Sequence, residues 1–410
     1  MKKLILNIAL ILFVQFSFGQ SLEDYLKIAE DNNPEVKANY QVYLAFIEKS
    51  KQVTALPDPK ISLGYFISPV ETRVGPQQAK ISISQSLPWF GTLDTKGSVF
   101  EEKAKAQLQV VEEVKNKLHL EVKTTWYQLF ELERILELTK ENLIILKTYD
   151  NLAISKYEVA QTSLVDVIRV QLQIEQIENE LLTLENEKIP LITKFNSLLN
   201  RNSKSEIQIS SSLPDVISPS YRSQIVDSLF EQIPRFQHLK YQKISVNRLQ
   251  EVARLSGKPS FSLGLDYAVV GRRTDMDVPD NGKNIFMPMV SFSLPLNRKK
   301  YQAAVNEQII NQQKIEYQIE TMKNNFIVDL ENIHKETNDA ERNIKLYTSQ
   351  IQMASQALNI LIVNYSSAGE DFEEILRIQQ QILGYKIAFE HARKDQYILN
   401  SKIEYLLAGN

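Results

Sequence analysis

At 410 residues, with a net charge of −3, a charged fraction of 24% and no cysteine, the sequence rules out several kinds of protein before any motif is read. The chain is too long for one ordinary core, so two domains or one elongated repeat are expected. Its mixed charges, without a basic run, give no electrostatic ground for a nucleic-acid partner. Without cysteine it has no disulfide, no thiol nucleophile, no thiolate metal site and no N-terminal cysteine to carry lipid.

The first residues read as a secretory signal. Lys2 and Lys3 are the positive flank, Leu4 to Val14 form an apolar stretch too short to span a bilayer, and Ser17 and Gly19 are small residues at cleavage positions. Cleavage is expected after Gly19, giving residues 1–19 as signal peptide and a mature chain from Gln20. An uncleaved anchor helix is the alternative. No later segment resembles a membrane helix, which leaves a periplasmic, secreted or outer-membrane β-barrel protein.

After an early helical stretch come two segments of period-two alternation, predicted as strands over about 59–68 and 79–88. Ile61, Leu63, Tyr65 and Ile67 alternate with Lys60, Ser62 and Gly64; Ile81, Ile83 and Leu87 alternate with Lys80, Ser82, Ser84 and Ser86. Ser68 to Gln78 is expected as the loop between them. No glycine then occurs from Ser98 through Ser256. Apolar residues recur there at steps of three and four (Val111, Val114, Leu118, Val122, Trp126, Leu129), predicting a helix over about 92–157. Such a helix reaches about 100 Å at about 1.5 Å per residue and calls for coiled-coil-like packing. A returning helix is predicted over about 163–201, with Pro190 kinking or ending it.

The rest of the chain repeats this order. Tyr157 to Ile174 aligns with Tyr365 to Ile382, with identities at Arg169 and Arg377, Gln171 and Gln379, and Gln173 and Gln381. Pro59 to Gly64 matches Pro259 to Gly264, Ser84 to Pro88 matches Ser291 to Pro295, and Pro34 pairs with Pro234. This is a tandem duplication. The joint lies in Ser210 to Pro219, so the repeats are 20–215 and 216–410. The second is expected to hold strands over about 259–269 and 284–295, the latter interrupted by Pro288, and helices over about 298–365 and 371–408. The loop between its strands is Val270 to Lys283, and Ile398 replaces the proline of the first half.

The strand segments have the length and two-sided character of membrane strands. Two ordinary hairpins on a soluble domain are the alternative. That alternative leaves the apolar faces without a nearby partner, whereas four strands from each of three subunits would close a barrel without edges.

The order helix, strand pair, two long helices, repeated twice, resembles the TolC-like outer membrane factor family of efflux ducts over essentially the whole mature chain. Gln85-Ser-Leu-Pro-Trp-Phe-Gly91 and the duplicated Leu-Arg-x-Gln turn contribute to the likeness. The resemblance implies a mainly α protein with a small β component: a long-helix α-barrel plus four transmembrane strands per subunit, closing as a trimer into a twelve-stranded β-barrel. It also implies an outer-membrane location reaching into the periplasm, contact with outer-membrane lipid, and a periplasmic adaptor and an inner-membrane pump as partners. Gln85 to Gly91 and Phe372 to Gln379 are most similar to the branch that serves heavy-metal resistance-nodulation-division pumps, implying heavy-metal cations as cargo.

In the family, the turns between the long helices form the periplasmic tip, here about Tyr157 to Asp166 and Tyr365 to Glu374. Three-fold symmetry would gather Glu370, Asp371, Glu373 and Glu374 into a cation-attracting constriction, with Arg377 available for pairing and Asp166 and Arg169 at the first tip. A solvated helix N-terminus, where carboxylates meet the helix dipole, explains the same residues. Trp89 and Phe90 suit an interfacial aromatic belt. Met287 and Met289 share a strand face but read as packing; His119, His238, His334 and His391 are expected on helix surfaces. No nucleophile elbow, phosphate loop or ligand cluster is present, so neither catalytic residues nor a cofactor is expected. A periplasmic coiled-coil scaffold without a pore is the rival reading, and it leaves the strands unexplained.

Overall fold

A computed structural model describes residues 21–209, 213, 230–368 and 372–407. The expected signal peptide and its cleavage point, most of the joint between repeats, and Glu370 and Asp371 lie outside the described residues. In chain order the elements are α1 (Leu22–Asn32), α2 (Pro34–Thr54), β1 (Lys60–Thr72), β2 (Gly75–Leu87), α3 (Thr92–Glu158), α4 (Leu164–Leu198), α5 (Pro234–Ser256), β3 (Ser260–Val270), β4 (Ile285–Ser293), α6 (Arg298–Ala368) and α7 (Phe372–Leu406). The chain is mainly helical with one small antiparallel sheet. It divides into two compact units, each drawing on both halves of the sequence.

One unit comprises Ala38–Glu112 and Phe230–Asn324 and contains the sheet. Its four strands follow in the order β1-β2-β3-β4, every neighbour antiparallel. The register sorts side chains by chemistry because strand residues alternate faces. Leu63, Ile81, Tyr267 and Phe286 form one row across all four strands, and Ser62, Ser82, Asp266 and Met287 form the next row on the opposite face.

The sheet departs from the sequence reading at its turns. β1 runs on to Thr72 and β2 begins at Gly75, so most of the expected loop Ser68 to Gln78 is strand. A register shift between Tyr65 and Val70 breaks the alternation there and hides the strand from a period-two search. β4 passes through Pro288 unbroken, as an edge strand can when a missing N–H costs no ladder bond. Gly75, at φ +126, lies against the 271–284 connection: a Cβ there would sit 1.9 Å from the Gly271 carbonyl oxygen. Gly271 N–H donates to the Pro76 carbonyl at 2.7 Å, and Gly282 N–H donates to the Val74 carbonyl at 2.6 Å. Gly75→Ala is therefore expected to cost about 1–3 kcal/mol from backbone strain, with the clash added to it. Gly64→Ala, where the nearest atom would be 3.9 Å from the new Cβ, serves as control. A lower melting temperature for the first variant alone is the outcome that checks this.

Below the strands in sequence, α2 packs on α3 at Gly97, where Ser50 Oγ donates to the Gly97 carbonyl at 3.1 Å. α5 meets α3 through Ser245 Oγ and the Val99 carbonyl at 3.2 Å, and meets α6 through Lys243 and Glu316 at 2.7 Å.

The other unit takes the residues up to Lys37, those from Glu113 into the joint, and those from Asn325 onward. Its buried cluster joins the end of α3 (Leu146, Tyr149, Ala153), the start of α4 (Val167, Val170), Tyr365 of α6 and the start of α7 (Phe372, Ile375, Leu376). Asn142 and Gln379 form a buried 2.8 Å amide hydrogen bond between α3 and α7. α4 does not end at Pro190 but continues to Leu198; the lost N–H removes one helical bond without breaking the element. Among the described residues, no helix is long and apolar enough to cross a membrane.

Candidate functional site

The turn from α3 to α4 is built by local hydrogen bonding. Ala160 takes the left-handed conformation at φ 58, which lets its N–H reach the Tyr157 carbonyl at 2.9 Å and lets Gln161 N–H reach the Lys156 carbonyl at 2.8 Å. These bonds satisfy carbonyls that a helix end leaves open. Ser163 then starts α4 with a capping box to Asp166. Asp166 Oδ2 accepts from Thr162 Oγ1 and Ser163 Oγ, both at 2.8 Å. Burial pushes the Asp166 carboxyl up, but the Thr162 and Ser163 donors and Arg169 outweigh it and hold its pKa below the ordinary value. Its first role is therefore to cap a helix.

Arg169 joins the two turns. Its guanidinium lies 3.4 Å from Asp166 and 3.0 Å from Glu373 at the start of α7. Glu374 pairs instead with Arg377 one turn along the same helix, which raises the Arg377 pKa. Of the acidic cluster expected at the second turn, Glu373 and Glu374 are thus each matched to an arginine, and Glu370 and Asp371 lie outside the described residues. Beneath them Lys156 Nζ donates to the Tyr365 carbonyl at 2.6 Å and sits 3.9 Å from the Tyr365 ring centroid. The Tyr365 ring packs 5.2 Å from Phe372. Sequence reasoning used Tyr365 only to align the repeats. Its equivalent Tyr157 is 45% exposed while Tyr365 is 3% exposed, so the duplicated tyrosines do different work.

At the sheet, the apolar face is uncovered: Leu63 is 77% exposed, Tyr65 78% and Phe286 67%. Four aromatic rings gather where β2 leads into α3. Trp89 stacks 5.8 Å from Phe261, Phe90 lies 6.3 Å from it, and Phe292 5.3 Å. The opposite face carries serines and one ion pair, Lys80 with Asp266. Met287 and Met289 fall on this polar face, not among packing apolar residues, since they oppose Asp266 and Gly264.

His334 and His391 are exposed, as expected, whereas His119 and His238 are partly buried. His119 is half-buried, 2.7 Å from Glu30, and burial lowers its pKa despite that neighbour. His238 lies 3.0 Å from the Ala106 carbonyl. His391 lies 2.5 Å from Glu131, which raises its pKa. Among the described residues, no three His, Asp or Glu side chains converge as metal ligands.

No protein-family model matches the sequence, and no curated protein matches it. Solved structures do match in three dimensions. The outer membrane protein VceC from Vibrio cholerae superposes with a TM-score of 0.75 at 13% identity, over 95% of this chain and 96% of that one. CusC, solved in a study of folding and transmembrane channel formation, gives 0.79 at 14% identity over 96% and 93%. The open-state MtrE outer membrane channel of Neisseria gonorrhoeae gives 0.76 at 14% identity over 95% and 89%. With the two-faced sheet and the paired long helices of each half, this near-complete overlap means that the chain has the fold of the TolC-like outer membrane channels.

Proposed function

We propose that the chain is one subunit of a bacterial outer-membrane efflux conduit that passes substrate from a periplasmic adaptor and an inner-membrane pump to the exterior, without bond chemistry. The observation that carries this reading is the sheet: one face apolar and uncovered, the other polar, and both outer strands without a neighbour on one side among the described residues. Such a sheet is stable in lipid only when its edges are closed. Three copies would supply twelve strands and close them, with the apolar rows against lipid and the serine rows around water. Trp89 and Phe90, with Phe261 and Phe292, would mark the membrane interface.

In this arrangement the two helix turns form the periplasmic tip. Glu373 and Glu374 would ring the axis as a constriction, with Arg169 and Arg377 as partners. We propose heavy-metal cations as cargo, a reading supported by the likeness of Gln85 to Gly91 and Phe372 to Gln379 to the heavy-metal branch. The adaptor has a suitable groove along α3, α4 and α7. The groove holds about 430 Å³, with Leu132, Leu184, Leu191 and Ile387 among its lining residues and Glu180 and Glu187 beside them.

Purified protein tests the reading. Cross-linking should give a trimer, and planar bilayers should record channel events whose conductance is stable over time. Release of the native protein from membranes by a carbonate wash, with no conductance, would favour the scaffold instead.

A further inference from the structure

We propose that the sheet-bearing unit also holds a binding site for a phosphate ester, one whose charged head lies between two lysines and whose apolar part lies on the adjoining wall. A cavity of about 520 Å³ opens between α2, α3, α5 and α6. That volume is in the range of small-ligand sites. Lys103 from α3 and Lys314 from α6 line it, and none of its lining residues is a carboxylate.

Lys105, on the same helix as Lys103, faces an acid one turn away, Glu102 at 2.8 Å. Lys103 and Lys314 do not. The positions three and four from Lys103 are Val99, Phe100, Ala106 and Gln107; those around Lys314 are Ile310, Asn311, Tyr317 and Gln318. Acids close by are already occupied, Glu102 by Lys105 and Glu316 by Lys243. His238 is engaged on both ring nitrogens: Nδ1 lies 3.0 Å from the Ala106 carbonyl oxygen, and Nε2 lies 2.8 Å from the Gln242 amide nitrogen. Lys103 Nζ lies 5.0 Å from the Phe100 ring centroid, and among the described residues the lining offers two lysines and no carboxylate, which favours a ligand of opposite sign.

The remaining wall specifies what accompanies that charge. Gln308, Asn311 and Gln318 are neutral amides able to donate to further oxygens, while Phe46, Val246, Leu249 and Ile315 offer an apolar surface. Lysine binds phosphate as a compact point charge without a fixed fork, which suits a rotating headgroup. A phosphate headgroup of an amphiphile and a free phosphate ester share this chemistry, and the proposal does not depend on the chain forming a pore.

Calorimetry on the purified full chain in a neutral detergent separates the sources, with dihexanoyl phosphatidic acid, glycerol phosphate and dihexanoyl phosphatidylcholine as probes. Phosphatidic acid should bind to the wild type and lose at least tenfold in affinity in the K103Q/K314Q variant, with an unchanged melting temperature confirming its fold. Phe46→Ala should weaken phosphatidic acid and leave glycerol phosphate alone. Equal affinity for glycerol phosphate and phosphatidic acid would keep the site and assign it to a free ester. Absence of binding by both phosphate probes, equal binding by the double variant, or phosphatidylcholine binding as tightly as phosphatidic acid would overturn it.

Discussion

Leu63→Arg is expected to remove most of the protein from the outer membrane, while Ser62→Arg, one residue away, leaves it in place. Leu63 belongs to the uncovered row that continues through Ile81, Tyr267 and Phe286, and Ser62 points to the other face. If the apolar face meets lipid, a cationic side chain there costs about 2–4 kcal/mol near the bilayer midplane, and the penalty is paid in every copy. The polar face, around water, accepts an arginine with a change in conductance instead of assembly. Quantifying both variants in outer-membrane fractions checks the assignment. Normal assembly of Leu63→Arg beside failed assembly of Ser62→Arg would invert the faces and remove the basis for the barrel.

The second large effect is expected at the turns. Arg169→Glu should raise the open fraction of single channels and admit a bulky antibiotic such as vancomycin, because it replaces the 3.0 Å attraction to Glu373 with repulsion. An exposed pair of this kind contributes up to about 1 kcal/mol. Three copies acting together give about 3 kcal/mol, or roughly a hundredfold in the ratio of open to closed channels. Glu373→Arg should act similarly, and the double exchange Arg169→Glu with Glu373→Arg should restore the closed state, as a coupled pair requires. Additive opening in the double variant would show that the two residues act separately and that the turns are held by other contacts.

How far the molecule could be read from its residues depended on whether the signal was periodic or local. The long helices were legible because α3 and α6 lack breakers over most of their length and repeat apolar residues at steps of three and four. The strands were legible where alternation was strict, as at Ile61, Leu63 and Tyr65. Legibility ended at the register shift before Val70, because a shift moves side chains to the other face while the backbone stays paired. The turns were found from the duplication, but their chemistry was not. Asp166 and Glu374 look alike as acids near a helix start, yet one caps its own helix and the other pairs along it. Lys156 and Tyr365 were invisible as partners, being far apart in sequence and joined by a side chain to a carbonyl. The gathering of Trp89 with Phe261 and Phe292 likewise depended on strand pairing that no spacing announces.

The buried bond between Asn142 and Gln379 limits how the long helices can move. In an interface of leucines and isoleucines, one helix can slip along another by a turn and meet equivalent side chains again. An amide pair cannot, since a slipped register would bury two polar groups without partners, at about 1–3 kcal/mol for each. The pair works as a detent that fixes axial position. Whatever opens the turns beyond it must therefore swing or unwind the helix ends about this fixed point, because sliding α7 along α3 would first have to break it.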